Sequence, residues 1–161
     1  LIMGTFSKSF ASLGGFIATD KEITNYLRHH SRSYIFTASI TPASTAAALK
    51  AMEIMQAEPE RQEHLWEITN YALEGFRNMG CEIGNTSTPI IPLYIRDNFK
   101  TFAITRDLQN EGIFVNPVVS PAVAPHDTLI RFSLMATHTK DQVTIALEKI
   151  QKVFRAHNLI P

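Results

Sequence analysis

The stretch GTFSKSFASLGG, residues 4–15, decides how this chain is read. An apolar run precedes it (LIM, residues 1–3) and another comes after it (FIAT, residues 16–19). Both runs read as strands, and the glycines Gly14 and Gly15 mark the turn between them. Thr5 and Ser7 come just before Lys8, and Ser9 and Ser12 come next. A lysine after a strand ordinarily sits in solvent while its hydroxyl neighbours cap a turn. A second chemistry is open to the same residues. A lysine amine freed of its proton, which desolvation or a nearby cation favours, can condense with a carbonyl. Each adjacent hydroxyl can donate one hydrogen bond to a phosphate. An aldehyde cofactor carrying a phosphate, such as pyridoxal phosphate, needs both features.

Composition narrows the alternatives. The chain has 161 residues and is 45% hydrophobic, enough for a packed core. Fifteen basic residues balance fifteen acidic ones, which argues against the basic face that nucleic acid or an anionic membrane requires. No apolar run approaches the roughly 18 residues of a membrane span. Cys81 is the single cysteine, so no internal disulfide can form, and a reducing cytoplasmic setting is expected. No two histidines are spaced with a carboxylate as metal ligands, and no metal is expected. His29 and His30 lie in a basic stretch and read as solvated. His64 falls in a long helix, His138 reads as structural, and Trp66 as a core or interface aromatic. Leu1 stands where an initiator methionine would, and a strand is already under way. The chain is therefore expected to be the later portion of a longer one.

Hydrophobic periodicity orders the rest. LIMGTF reads as a buried strand, and residues 21–36 as a short helix and then an extended piece. Thr41 and Pro42 read as the cap and first residue of a helix that Pro59 ends. In residues 60–80, Leu65, Ile68, Ala72, Phe76 and Met79 share one helical face, and Gly80 caps the end. Ile91, Leu93 and Ile95 alternate as a strand. Residues 98–112 read as a helix closed by Gly112. IFVNPVV is a strand broken by Pro117, SPAVAPHDT a loop, and LIRFSLMA a strand. A final helix opens with a Thr139/Gln142 capping box and buries Val143, Leu147, Ile150 and Phe154. This order predicts an α/β (α+β) domain from residue 46 to 161, its antiparallel sheet covered by helices. Residues 1–45 read as the tail of a preceding domain.

Three separated segments then carry a resemblance. GTFSKSFASLGGFIATD (4–20), SYIFTASITPAS (33–44) and GIFVNPVVSPAVAPHDTLIRFSLMATHTKDQV (112–143) are similar, in that order, to segments of the α-oxoamine synthases. These are pyridoxal-phosphate enzymes of the aspartate-aminotransferase-like fold (fold type I). The resemblance implies the C-terminal part of that fold: 1–45 ending a large cofactor-binding domain, and 46–161 forming the small domain. It implies that Lys8 is the Schiff-base lysine and the base that removes the substrate's α-proton. Thr5 and Ser7 fall where the family contacts the cofactor phosphate. Thr37 and Ala38 match residues that reach the phosphate of the neighbouring subunit in a homodimer. Arg131 matches the arginine that grips the amino acid's carboxylate. The pattern of LIRFSLMA agrees, since Ile130, Phe132 and Leu134 share one face while Arg131 and Ser133 share the other.

The family's reaction joins an amino acid to an acyl-CoA with loss of carbon dioxide, in sphingolipid or biotin biosynthesis. FTASITP and NPVVSPAVAP look closer to its serine palmitoyltransferase branch. The 8-amino-7-oxononanoate synthase and glycine C-acetyltransferase branches are the alternatives. The family's aspartate for the pyridine nitrogen and its ring-stacking histidine precede the lysine segment and are expected upstream of Leu1. Residues 1–161 alone are accordingly expected to be inactive. A different class of reading, a non-catalytic packing and dimerisation module, fits the isolated chain.

Overall fold

The computed structural model describes residues 1–161 and divides into two compact units, Leu1–Pro59 and Glu60–Pro161. The first unit opens with an antiparallel hairpin. Strand β1 (Ile2–Thr5) pairs with β2 (Gly15–Ala18), with Ile2 opposite Ala18 and Thr5 opposite Gly15. Helix α1 (Lys21–His30), a short α2 (Arg32–Ile35) and α3 (Pro42–Ala57) complete it. Thr41 caps α3 by accepting from the Ser44 N–H, and Pro42 sits in its first turn, where no N–H is needed.

Two sequence expectations change here. The strand at LIMGTF is not buried: Leu1, Ile2 and Met3 are 75%, 67% and 70% exposed. A two-stranded ribbon has no layer of its own to cover either face. The piece expected to be extended after α1 is instead helical, because the Ser31 hydroxyl accepts from the Tyr34 N–H and starts a new turn at once. Helix α3 packs with the hairpin. The Ser12 hydroxyl donates to the Ser44 carbonyl at 2.7 Å, and Phe6, Phe10 and Phe16 line one apolar cavity with Met52 and Met55.

The second unit holds the core. It runs α4 (Glu60–Asn78), β3 (Ile90–Tyr94), α5 (Asn98–Asn110), β4 (Asn116–Val118), β5 (Leu129–Ser133) and α6 (Lys140–Ala156). The strands form one antiparallel sheet in the order β3-β5-β4. Ile91 and Leu93 of β3 and Ile130 and Phe132 of β5 point into a cluster with Ile68, Ala72 and Phe76 of α4, Ile104 and Leu108 of α5, and Val143, Leu147, Ile150 and Phe154 of α6. Phe76 meets Phe132 edge to face at 5.2 Å between ring centroids. Each fully buried Val, Leu, Ile or Phe side chain of this kind is worth about 1.5–3 kcal/mol. The helices thus cover one face of the sheet, as the periodicity predicted, and the Thr139/Gln142 capping box is formed.

Pro117 does not break its strand. It lies within β4 opposite Ile130, and β4 is an edge strand, where a missing N–H costs no ladder bond on the open side. Trp66, read as a core or interface residue, is 40% exposed in this chain. The loop expected at SPAVAPHDT carries one turn of 3-10 helix, Pro125–Asp127.

Candidate functional site

The loop between β1 and β2 is closed by its own backbone. The Phe6 N–H donates to the Gly14 carbonyl and the Ser12 N–H to the Phe6 carbonyl, each at 2.9 Å. Gly14 adopts φ +94, and a Cβ on Gly15 would lie 2.5 Å from the Gly4 carbonyl oxygen, so a side chain at either place would disturb the turn. Phe6 packs against Phe10 and Phe16, with centroids 5.1 and 5.8 Å away. These rings anchor the loop from one side. Lys8 rides on it, exposed, at the head of a turn in which the Ala11 N–H donates to its carbonyl at 2.9 Å.

Thr5 and Ser7 are brought together. Their hydroxyl oxygens lie 2.9 Å apart, and the Ser7 N–H donates to the Thr5 hydroxyl at 3.3 Å. Two hydroxyls and an amine therefore leave one hairpin loop within a span of four residues. Thr5 also lines an open cavity of about 640 Å³ with Thr24, Leu27, Arg28 and Tyr34. Thr37 and Ala38 come after α2 in the same unit, both exposed, and the Thr37 hydroxyl donates to the Ser33 carbonyl.

Arg131 belongs to the second unit. It lies on β5, on the face of the sheet away from the helices, and is exposed. Asn116 stands opposite it on β4, and its Oδ1 accepts from Arg131 Nη2 at 3.2 Å. Sequence reasoning did not single out Asn116. Its partner lies fifteen residues away and is set by strand register, which no local pattern reveals. A second arginine, Arg96, was also passed over. Its guanidinium grips Glu82 through Nε at 3.2 Å and through Nη2, reaches Asp127 from Nη1 at 2.5 Å, and lies over the Tyr94 ring at 4.3 Å. That grip holds the Glu82 carboxyl below the usual carboxylate range, the hydrogen bond from Arg96 being the main cause.

The histidines serve local structure. His29 and His30 bond the carbonyls of Asn25 and Tyr26 one turn back, at 2.8 and 3.0 Å. His64 Nε2 meets the His138 carbonyl at 2.9 Å, and His138 Nδ1 accepts from the Met135 N–H at 3.2 Å. Burial pushes the Cys81 thiol up to about 11. No three His, Cys, Asp or Glu side chains gather as metal ligands. No helix is long and apolar enough to cross a membrane.

Comparison with known proteins bears directly on this arrangement. Residues 1–150 match the family described as aminotransferase class I and II. The chain belongs to that family. Its relatives there fall in the α-oxoamine synthase branch to which the three sequence segments pointed. A serine palmitoyltransferase of Bacteroides ovatus is 62% identical over 160 residues, 99% of this chain and 41% of that protein. An 8-amino-7-oxononanoate synthase of Thermosipho melanesiensis is 38% identical over 151 residues, 94% of this chain and 39% of that protein. Among solved structures, a Sphingomonas wittichii serine palmitoyltransferase superposes with a TM-score of 0.88 at 32% identity, covering 99% of this chain and 40% of its own. A structure described as SPT with its PLP internal aldimine gives 0.89 at 30% identity, over 98% and 40%. This family member therefore has an α/β fold of fold type I and spans about two fifths of the length of the relatives it matches.

Proposed function

We propose that the whole protein is a pyridoxal-phosphate-dependent acyltransferase that condenses serine with a long-chain acyl-CoA and releases carbon dioxide, forming 3-oxosphinganine. The observation that carries this is the placement of Lys8 beside the paired Thr5 and Ser7 hydroxyls on one anchored loop, in a chain 62% identical to a serine palmitoyltransferase. The donor set fits the cofactor: a primary amine for its aldehyde, and two hydroxyls for its phosphate. When bound, pyridoxal phosphate supplies a ring that draws electrons from the substrate's α-carbon.

In this reading the Lys8 Nζ would hold the cofactor's aldehyde and, once free, would serve as the base that takes the substrate's α-proton. Thr5 and Ser7 donate to the phosphate. Thr37 and Ala38 reach the phosphate bound by the neighbouring subunit, which makes the working form a homodimer. Arg131, oriented by Asn116, binds the amino acid's carboxylate through parallel N–H donors. Residues 1–45 end the cofactor-binding domain and 46–161 form the small domain, in a cytoplasmic enzyme.

The 38% identity to an 8-amino-7-oxononanoate synthase supplies the second reading. That product, divided at the carbon–carbon bond a decarboxylating condensation forms, gives alanine and a pimeloyl thioester as substrates. The test is direct. The full-length protein, loaded with pyridoxal phosphate, is offered serine with palmitoyl-CoA, alanine with pimeloyl-CoA, and glycine with acetyl-CoA. Turnover of the first pair supports the proposal. Turnover of only the second or third moves the protein to another branch, and turnover of none refutes the enzyme reading.

A further inference from the structure

Arg96 occupies a backbone position that arginine rarely tolerates. Its φ is +68, in the left-handed region that favours glycine. A strained residue persists only where the surrounding structure over-determines it. Here the side chain binds three segments at once. It forms two bonds to Glu82, which precedes β3. It donates from Nη1 to the Asp127 carboxylate at 2.5 Å and to the His126 carbonyl at 3.0 Å. Its guanidinium also covers the Tyr94 ring. The backbone reinforces the grip, since the N–H groups of Ile95 and Arg96 both donate to the Thr128 carbonyl at 3.0 Å.

The gripped residues close the loop 119–128, which joins β4 to β5. That loop leads into β5, whose pairing with β4 puts Asn116 opposite Arg131. We propose that Arg96 is a positioning residue for Arg131: by fastening His126 and Asp127 to the end of β3, it fixes the β4–β5 register in which Asn116 orients the Arg131 guanidinium toward a substrate carboxylate. This rests on the reading that Arg131 binds the amino-acid substrate.

The full-length enzyme tests it through Arg96→Gly and Asp127→Asn. Glycine suits the left-handed backbone, so the first variant removes the clamp while relieving the strain. The second leaves the backbone unchanged and removes one charge, which keeps the test open if the first folds poorly. For Arg96→Gly the expected result is a serine KM raised roughly three- to tenfold, the scale of one hydrogen bond's loss. The kcat and the KM for palmitoyl-CoA should stay near wild type, since only binding of the carboxylate is weakened. Asp127→Asn should move serine KM the same way by less. Unchanged serine KM in both variants overturns the proposal. So does a loss of thermal stability or kcat with serine KM unmoved, which is what a clamp with no bearing on Arg131 gives. A wild-type enzyme that turns over serine while the variants match it defeats only this proposal. One that turns over no serine defeats the functional reading, and this inference with it.

Discussion

The hydroxyl oxygens of Thr5 and Ser7 lie 2.9 Å apart, three residues and one residue before Lys8. That spacing lets both hydroxyls reach one small anion, and it places the amine at a fixed chain distance from it. The hairpin makes this possible because the Ser7 N–H donates to the Thr5 hydroxyl, holding the two side chains together.

For Lys8→Ala in the full-length protein, we expect complete loss of turnover and no covalently retained cofactor. Borohydride reduction of the wild type and then peptide mapping should find pyridoxal phosphate on Lys8. Finding it instead on another lysine, Lys21 for example, would remove Lys8 from the mechanism. Thr5→Ala should weaken cofactor binding while leaving Lys8 modified, which fluorescence titration with pyridoxal phosphate can track.

For Arg131→Leu, we expect weaker binding of serine with cofactor binding nearly unchanged. Losing a hydrogen bond to a charged group costs about 1.5–3 kcal/mol, roughly a ten- to hundredfold rise in the dissociation constant. Titrating the holoenzyme's absorbance with serine reads this. An unaltered affinity would make Arg131 a surface residue. Asn116→Ala should show a smaller effect of the same sign, because the arginine keeps its charge and loses one orienting bond.

The features legible in the sequence are those with local signals. Alternation put Ile91 and Leu93 on one face, and both are buried. A spacing of three residues revealed the Thr139/Gln142 capping box. The hydroxyl-lysine run marked the loop that carries Lys8. The signals that failed depend on distant partners. Whether β1 is buried depends on the layer that lies against it, and nothing in LIMGTF says so. Arg96 reads as an ordinary arginine after a strand, since Glu82 and Asp127 meet it only after folding and its left-handed φ has no mark in the sequence. Asn116 becomes a partner of Arg131 only through the register of β4.

The core of the second unit should respond to deletion in proportion to burial. Phe76 is fully buried and packs edge to face on Phe132. Phe76→Ala removes a ring from a site enclosed by helix and sheet side chains, at a cost of about 3–5 kcal/mol. Ile130→Val, at another fully buried position, should cost only about 0.5–1.5 kcal/mol. Denaturant midpoints of the full-length variants rank the two. Equal midpoints, or a wild-type midpoint for Phe76→Ala, would contradict this packing.

Acid should weaken the second unit through two contacts that join α5 to α6. Asp107 Oδ2 meets His157 Nε2 at 2.8 Å, and Glu111 Oε1 accepts from Lys152 Nζ at 2.6 Å. The hydrogen bond from His157 holds the Asp107 carboxyl below its ordinary value, and that from Lys152 does the same for Glu111. A carboxyl whose pKa is lower when folded stabilises the fold above its unfolded pKa of about 4. That contribution is lost as pH falls through the folded value, because the folded state must then take up protons it had resisted. The Lys152–Glu111 contact is exposed and the His157–Asp107 contact is only partly buried, so each is a modest effect screened by salt. We therefore expect the denaturant midpoint of the full-length protein to hold steady from pH 7 to about 5 and to fall below about 4. Replacing both partners, His157→Gln with Lys152→Met, should lower the midpoint at pH 7 slightly and make its decline in acid shallower. The curves of variant and wild type should converge at the acid end. Curves that run parallel from neutral pH into acid would show that these two contacts do not couple folding to protonation.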